Sequence, residues 1–274
     1  MSSESSFRPK KAYKNLQFLN SHDARSIRMQ CELTEPEVRL EREKIENTIV
    51  FFGSARTKGL ADARQNLATV KAQLKGDSSA AAKRKIGEAE RDLKMARYYQ
   101  DAMELSRRMT EWSLEIEDPV KRFIVCTGGG PGIMEAANRG AIQGKGLSIG
   151  MNISLPFEQS PNPYQTQELC FEFHYFFIRK FWLFYLARAL IIFPGGFGTF
   201  DECFELLTLV QTEKTDRFLP IVLYGSEYWD EVLNLEAAVK WGTISPKDLH
   251  LLHRFDDVDS TFDFLTNELS RRYL

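Results

Sequence analysis

Pro194-Gly195-Gly196-Phe197-Gly198-Thr199-Phe200-Asp201-Glu202 follows the apolar run Ala189-Leu-Ile-Ile-Phe193 and precedes an apolar-periodic run through Val210. A buried strand, a glycine-rich turn and a helix start are compressed into one stretch. A helix N-terminus leaves four backbone N–H groups without partners, so such a turn can hold an anion. Glu202 lies within one helical turn of that anion. Thr199 and Glu202 also fit a capping box, with Thr at the N-cap and Glu three residues on. A cap does not require Gly195, Gly196 and Gly198 in front of it, whereas close approach of backbone to a ligand does.

The surrounding pattern repeats this unit. Thr48–Phe52 reads as the first buried strand, and Gly53-Ser54 ends it. Arg122–Thr127 is a second strand, followed by Gly128-Gly129-Gly130-Pro131-Gly132 and a helix. That helix places Ile133, Ala136, Ala137, Gly140 and Ala141 on one face, small enough to lie close to a sheet. Leu147–Ile153 and Leu169–Phe173 read as strands, with a Pro/Asn/Gln-rich loop over 155–168 between them. An aromatic helix is predicted over Phe176–Arg188, and Pro220–Tyr224 is the last clear strand before a helical tail. Short apolar strands alternating with helices predict an α/β fold: a doubly wound, mostly parallel sheet with helices on both faces. Ligands of such sheets bind outside the carboxyl ends of the strands, where both glycine turns fall.

Residues 1–46 read as an N-terminal extension, disordered over the first 14 or so and helical after that, with Arg25, Arg28, Arg39 and Arg42 among acids. Residues 47–274 read as one domain. Its Ala/Lys/Glu/Arg-rich stretch from about Leu60 to Ser113, broken at Gly76-Asp77-Ser78, predicts two helices joined by a tight turn, with a helical hairpin insertion at about 58–96. It is read as a solvated hairpin or an interaction arm.

The chain has 274 residues, 43% hydrophobic and 27% charged, with a net charge of −2. That balance argues against non-specific nucleic-acid binding. No apolar run suits a membrane span, and the start carries no signal-peptide pattern. Four scattered cysteines without a CxxC pair suggest a reduced, cytoplasmic protein with no structural zinc. GxGxxG fails in every frame of 128–132, and the position about 20 residues on is Asn152 rather than an acid, so NAD is not expected. No P-loop occurs.

Arg179-Lys180, set among aromatics, is a cationic pair. Arg179 either snorkels or pairs with an acid, or serves as a fork for phosphate or carboxylate. Glu135, in the first turn after Gly132, is a possible second acid or a partner of the helix dipole. His174, His250 and His253 read as structural or surface residues.

Gly128–Ala137 and PGGFGTFDE over 194–202, with Arg179-Lys180 upstream, resemble the LOG family, the cytokinin riboside 5′-monophosphate phosphoribohydrolases often labelled lysine decarboxylases. Phe52–Arg56, Met151–Gln159, Pro161–Tyr164 and Leu209–Thr212 extend the likeness toward the larger bacterial branch. The resemblance covers roughly 47–241. It implies a modified Rossmann fold, a dimer or higher homo-oligomer, and hydrolysis of the N-glycosidic bond of a nucleoside 5′-monophosphate such as AMP or a cytokinin nucleotide, without a cofactor. By position, Arg179 and Glu202 match the family's catalytic pair. Gly195, Gly196, Gly198 and Thr199 match its phosphate-binding turn. Gly128, Gly129, Gly130 and Ser54 line the same pocket, with Asn152 and Lys180 as further candidates. The alternative is a non-catalytic nucleotide or cofactor carrier of this fold. A pyridoxal-phosphate enzyme would need a Schiff-base lysine. Lys180 is the only lysine near the site, and its neighbour Arg179 points to electrostatics instead.

Overall fold

Every residue of the strand Asn47–Phe52 (β1) is buried. Successive side chains of a strand point to opposite faces, and here Ile49 and Phe51 enter one core while Val50 and Phe52 enter the other. A strand that buries both faces must have helices above and below it. The computed structural model, which describes residues 9–155, 160–214 and 219–274, shows this arrangement. β1 is followed by β2 (Phe123–Thr127), β3 (Ser148–Ile153), β4 (Cys170–Phe173), β5 (Ala187–Ile192), β6 (Ile221–Tyr224) and β7 (Leu252–Phe255). They form one sheet in the order β4-β3-β2-β1-β5-β6-β7, and every pairing is parallel. The chain steps outward from β1 to β4, then returns to lay β5 on the other side of β1. The switch point of this doubly wound sheet therefore lies between β1 and β5, and the crevice at such a point is where open α/β sheets hold ligands.

The helices are α1 (Leu16–Leu19), α2 (Arg25–Arg42), α3 (Leu60–Gln73), α4 (Ala80–Leu114), α5 (Ile133–Gln143), α6 (Phe176–Tyr185), α7 (Phe197–Gln211), α8 (Ser226–Val232), α9 (Leu235–Lys240) and α10 (Val258–Tyr273). α4, α5 and α10 cover the face of Ile49 and Phe51. α2, α6, α7 and α8 cover the face of Val50 and Phe52.

Several expectations change. The disorder expected over 1–14 falls largely on residues outside those described, but Ala12–Lys14 forms a 3-10 turn. The aromatic helix stops at Tyr185, and Ala187 and Arg188 belong to β5. Arg188 reaches out of the strand to bond Asn47 Oδ1 (2.6 Å) and the Glu46 carbonyl (3.1 Å), which is how a charge fits inside a parallel strand. The tail is not all helical, because Leu252–Phe255 forms the edge strand β7. His253 sits in that strand against Phe264, with ring centroids 4.5 Å apart, rather than on the open surface. An edge strand has one neighbour and needs no continuous apolar run, so its polar residues hid it.

The inserted hairpin is α3 with the first half of α4. The second helix runs unbroken for 35 residues to Leu114, close to the end expected at Ser113, and so continues past the insertion into the domain. Before Ala96 it buries only Ala82 and Ala89; beyond Ala96 it buries Tyr98, Tyr99, Ala102, Leu105 and Met109 against the sheet. The small face of α5 lies against the sheet as expected, and against α4 as well. A Cβ at Gly140 would run into the Met103 carbonyl of α4, so it is helix–helix contact that demands glycine there. Gly140→Ala gains helix propensity of about 1 kcal/mol, but overpacking against backbone that cannot rotate away costs about 1–3 kcal/mol. Urea unfolding should therefore show a lower midpoint at unchanged slope, and a raised midpoint would mean that α4 can yield.

Candidate functional site

Three chain segments meet at the switch point through the backbone of Ser54. Its N–H donates to the Pro194 carbonyl (3.0 Å), and its carbonyl accepts from Ile133 N (3.1 Å). The ends of β1 and β5 and the start of α5 are thus tied together. Around them opens a cleft of about 810 Å³, lined by Ser54, Gly128, Gly130, Asn152, Arg179, Gly195, Gly196, Gly198, Thr199 and Glu202 among others. The structure brings these sequence-predicted residues to one place.

The second glycine turn differs from the capping-box expectation. α7 begins at Phe197, with Gly196 as its N-cap and no side-chain cap. Thr199 lies inside the first turn, with its side chain folded back over Gly195, where a Cβ would collide with it. Glu202 therefore caps nothing and is free for the cleft. The N-terminal N–H groups of α7 are left uncapped beside it, a ready site for an anion. Gly196 and Gly198 meet no protein atom within 4 Å of where a Cβ would sit, and neither has a left-handed backbone. No described residue requires glycine at these two cleft positions, and bare backbone there leaves room for a ligand. Tyr228 of α8 donates its hydroxyl to the Gly195 carbonyl, fixing the turn from the far side.

Arg179 and Glu202 face each other across the cleft floor. Arg179 is 9% exposed. Its Nε donates to the Met151 carbonyl at the end of β3 (2.8 Å). Its Nη2 lies 3.9 Å from Glu202 Oε1. That is an ion pair but too long for a hydrogen bond, so both groups keep bonding capacity toward the cleft. A Cβ at Gly128 would strike this guanidinium, and the first glycine of that turn is the gap through which Arg179 passes. Burial pushes the Glu202 carboxyl up to about 7, with Arg179 pulling the other way. Burial likewise lowers Arg179 from its ordinary value, opposed by Glu202. A carboxyl raised to neutrality in a cleft is suited to proton transfer.

The remaining candidates separate. Gly129 turns its carbonyl away from the cleft, toward Asn162 N (2.9 Å) and Gln165 Nε2 (2.8 Å). Asn152 lines the cleft while bonding Gln165 Oε1 and the Phe171 carbonyl, each at 2.9 Å. Glu135 is not in the cleft lining; it accepts from the Tyr99 hydroxyl of α4 (2.7 Å). Lys180 also points elsewhere, to Asp201 (3.0 Å) and Glu205, joining α6 to α7. Sequence reasoning missed the buried amides Asn138 and Asn162. Asn138 accepts from Thr127 Oγ1 (2.7 Å) and from Asn162 Nδ2 (2.9 Å), and donates to Ser148 Oγ (2.7 Å). This network anchors the loop after β3 under the first glycine turn. Asn in an apolar helix face was the available signal. Residues 156–159 of that loop lie outside the described residues. Arg56, Met134, Phe176 and Phe197 also line the cleft. Arg56 makes no ion pair with a described residue. No group of three metal-binding side chains occurs among the described residues, and no described helix is long and apolar enough to cross a membrane.

The fold and the site together define a Rossmann-like α/β protein with an uncapped helix start beside a buried Arg–Glu pair. Residues 134–265 match the family described as "Possible lysine decarboxylase", a segment that contains both members of the pair. The match spans just under half of the chain, and over that span the chain is similar to this family. It is similar to the pyrimidine/purine nucleotide 5′-monophosphate nucleosidase of Escherichia coli strain K12, with 34% identity over 115 residues. That alignment covers 39% of this chain and 25% of the relative. The chain thus spans about a quarter of the length of the curated relatives it matches. Among solved structures, a structural-genomics X-ray target aligns over 81% of this chain and 99% of its own at 16% identity, with a TM-score of 0.47. The molybdenum cofactor binding protein of the phototrophic bacterium Rippkaea orientalis aligns over 62% of this chain and 88% of its own at 17% identity, with a TM-score of 0.42.

Proposed function

We propose that the chain hydrolyses the N-glycosidic bond of a nucleoside 5′-monophosphate, releasing the free base and ribose 5-phosphate. The observation that carries this reading is the buried Arg179–Glu202 pair facing an uncapped helix start across a cleft. The nucleosidase name of the E. coli relative supports it.

In this reading the 5′-phosphate lies on the 195–199 turn and takes the unpaired N–H groups of α7. Binding energy from the phosphate then holds C1′ beside Glu202. As the C1′–N bond lengthens, positive charge grows on the ribose and the Glu202 carboxylate stabilises it, as carboxylates do in sugar glycosidases. Glu202 takes a proton from water, the hydroxide adds to C1′, and the departing base nitrogen ends with the proton. Arg179 keeps enough of Glu202 ionised at neutral pH for this to occur. The exposed rings of Phe176 and Phe197 at the rim offer faces for a base. A homo-oligomer and a cytoplasmic setting accompany this proposal. The lysine-decarboxylase reading is disfavoured by Lys180, whose ammonium is held between Asp201 and Glu205.

The test is incubation with a panel of purine and pyrimidine nucleoside monophosphates, followed by chromatography for released base. Release from at least one, and none from the matching nucleosides without phosphate, is expected. Tight nucleotide binding with no release from any of them would establish the carrier instead.

A further inference from the structure

The N-terminal extension lies before the segment that matches the family, residues 134–265, yet it grips the helix that carries Arg179. Glu32, midway along α2, turns its carboxylate to the start of α6. One oxygen accepts from His174 N (2.9 Å) and the other from Tyr175 N (3.2 Å). The carbonyl of Glu32 accepts from Trp182 Nε1 of the same helix (3.0 Å). α6 has no side-chain cap of its own, so the extension supplies one from outside. A carboxylate there also opposes the positive end of the helix dipole. The next link is direct, because the Tyr175 carbonyl accepts the Arg179 N–H (3.1 Å). Glu32 thus holds Tyr175, and Tyr175 holds the first turn of Arg179. The rest of α2 is clamped alongside. Arg39 bonds the Glu168 carbonyl (2.9 Å) and lies over the Phe171 ring at 4.0 Å, while Met29 and Leu33 pack on the same core as α6.

We infer that Glu32 is a positioning residue for Arg179, so that the extension is part of the site's machinery and not an appendage. The inference rests on the reading of Arg179 and Glu202 given above. Glu32 touches no cleft atom and is absent from the lining; its effect passes through the rotation and height of α6. A side chain displaced by even 1 Å from its productive place can lower a rate by 10²-fold.

The experiment is a cycle of Glu32→Ala, Arg179→Ala and the double variant, read as kcat and KM for the nucleotide that the panel identifies. We expect Glu32→Ala to lower kcat about tenfold with KM within about twofold, and to lower it no further in the Arg179→Ala background. Glu32→Gln, which keeps one acceptor oxygen, should recover part of the loss. Equal losses in both backgrounds, or no loss of kcat, would overturn the inference. Hydrogen exchange across residues 176–185 gives a reading without catalysis: at least tenfold faster exchange in Glu32→Ala is expected, and unchanged protection would overturn it. If the wild-type protein releases no base from any nucleotide, the functional reading fails while the exchange result still decides the role of Glu32.

Discussion

Glu202→Gln is expected to lower base release by on the order of 10²–10³-fold in kcat, and to make the folded protein more stable above neutral pH. The two effects have one cause. In the folded state the Glu202 carboxyl is raised to about 7 from its ordinary value of 4.5, chiefly by burial. The native state therefore binds this proton more tightly than the unfolded chain. Stability contributed by the group is whole below about 4.5, declines as pH rises, and is fully lost above about 7. A shift of this size corresponds to a penalty on the order of 3 kcal/mol at alkaline pH. Glutamine carries no charge to desolvate and removes the penalty. Thermal unfolding at pH 5 and pH 8.5 should show little difference between the proteins at the lower pH. At the higher pH the variant should melt several degrees above wild type. In the wild type, kcat/KM should rise with pH through about 7, because the ionised form does the work. A variant that lost activity and stability together at pH 8.5 would show Glu202 to be a structural charge.

Arg179→Ala acts on the same pair from the other side and is expected to lower the rate at pH 7 by at least about 10²-fold. Glu202 then loses the larger of the two positive charges, Arg179 and Lys180, that counter its burial. Its carboxyl should titrate still higher, so the residual activity should have its midpoint at a more alkaline pH than wild type. The variant is also expected to be less stable, since removing one partner of a buried pair leaves the other uncompensated. The bond from Nε to the Met151 carbonyl goes as well. Arg179→Lys restores charge but not the fork, and should recover the alkaline shift more than the rate. A residual pH profile that superimposes on wild type would separate Arg179 from Glu202.

Much of this was legible in the chain because the local rules agree. The strand–turn–helix stretch from Ala189 to Val210 announces a parallel sheet, and the two glycine turns point to the one cleft at its edge. The cap was misread for a physical reason. Thr199 and Glu202 have capping-box spacing, but glycine at 196 lets the helix begin earlier, so Thr199 falls inside the first turn. Arg188 read as helical because charge within a parallel strand is rare; Asn47 and the Glu46 carbonyl make it possible. The cap on α6 was not legible at all. The capping acceptor, Glu32, lies 142 residues from His174 in sequence, and nothing local in His174-Tyr175 asks for it. Lys180 looked like half of a functional pair, but neighbouring residues on a helix face different ways, and only Arg179 turns inward.

The switch point has a consequence for the entropy of the chain. β1 and β5 are sequence-distant neighbours, so the cleft cannot exist until the loop of residues 53–186 has closed. Closure entropy grows only as the logarithm of loop length, so lengthening a loop of on the order of 100 residues by some 40 adds only about 0.3 kcal/mol. The chain can therefore carry the α3–α4 hairpin inside that loop almost without penalty to the pairing that creates the cleft. The same arithmetic makes the hairpin a tolerant place for further insertion.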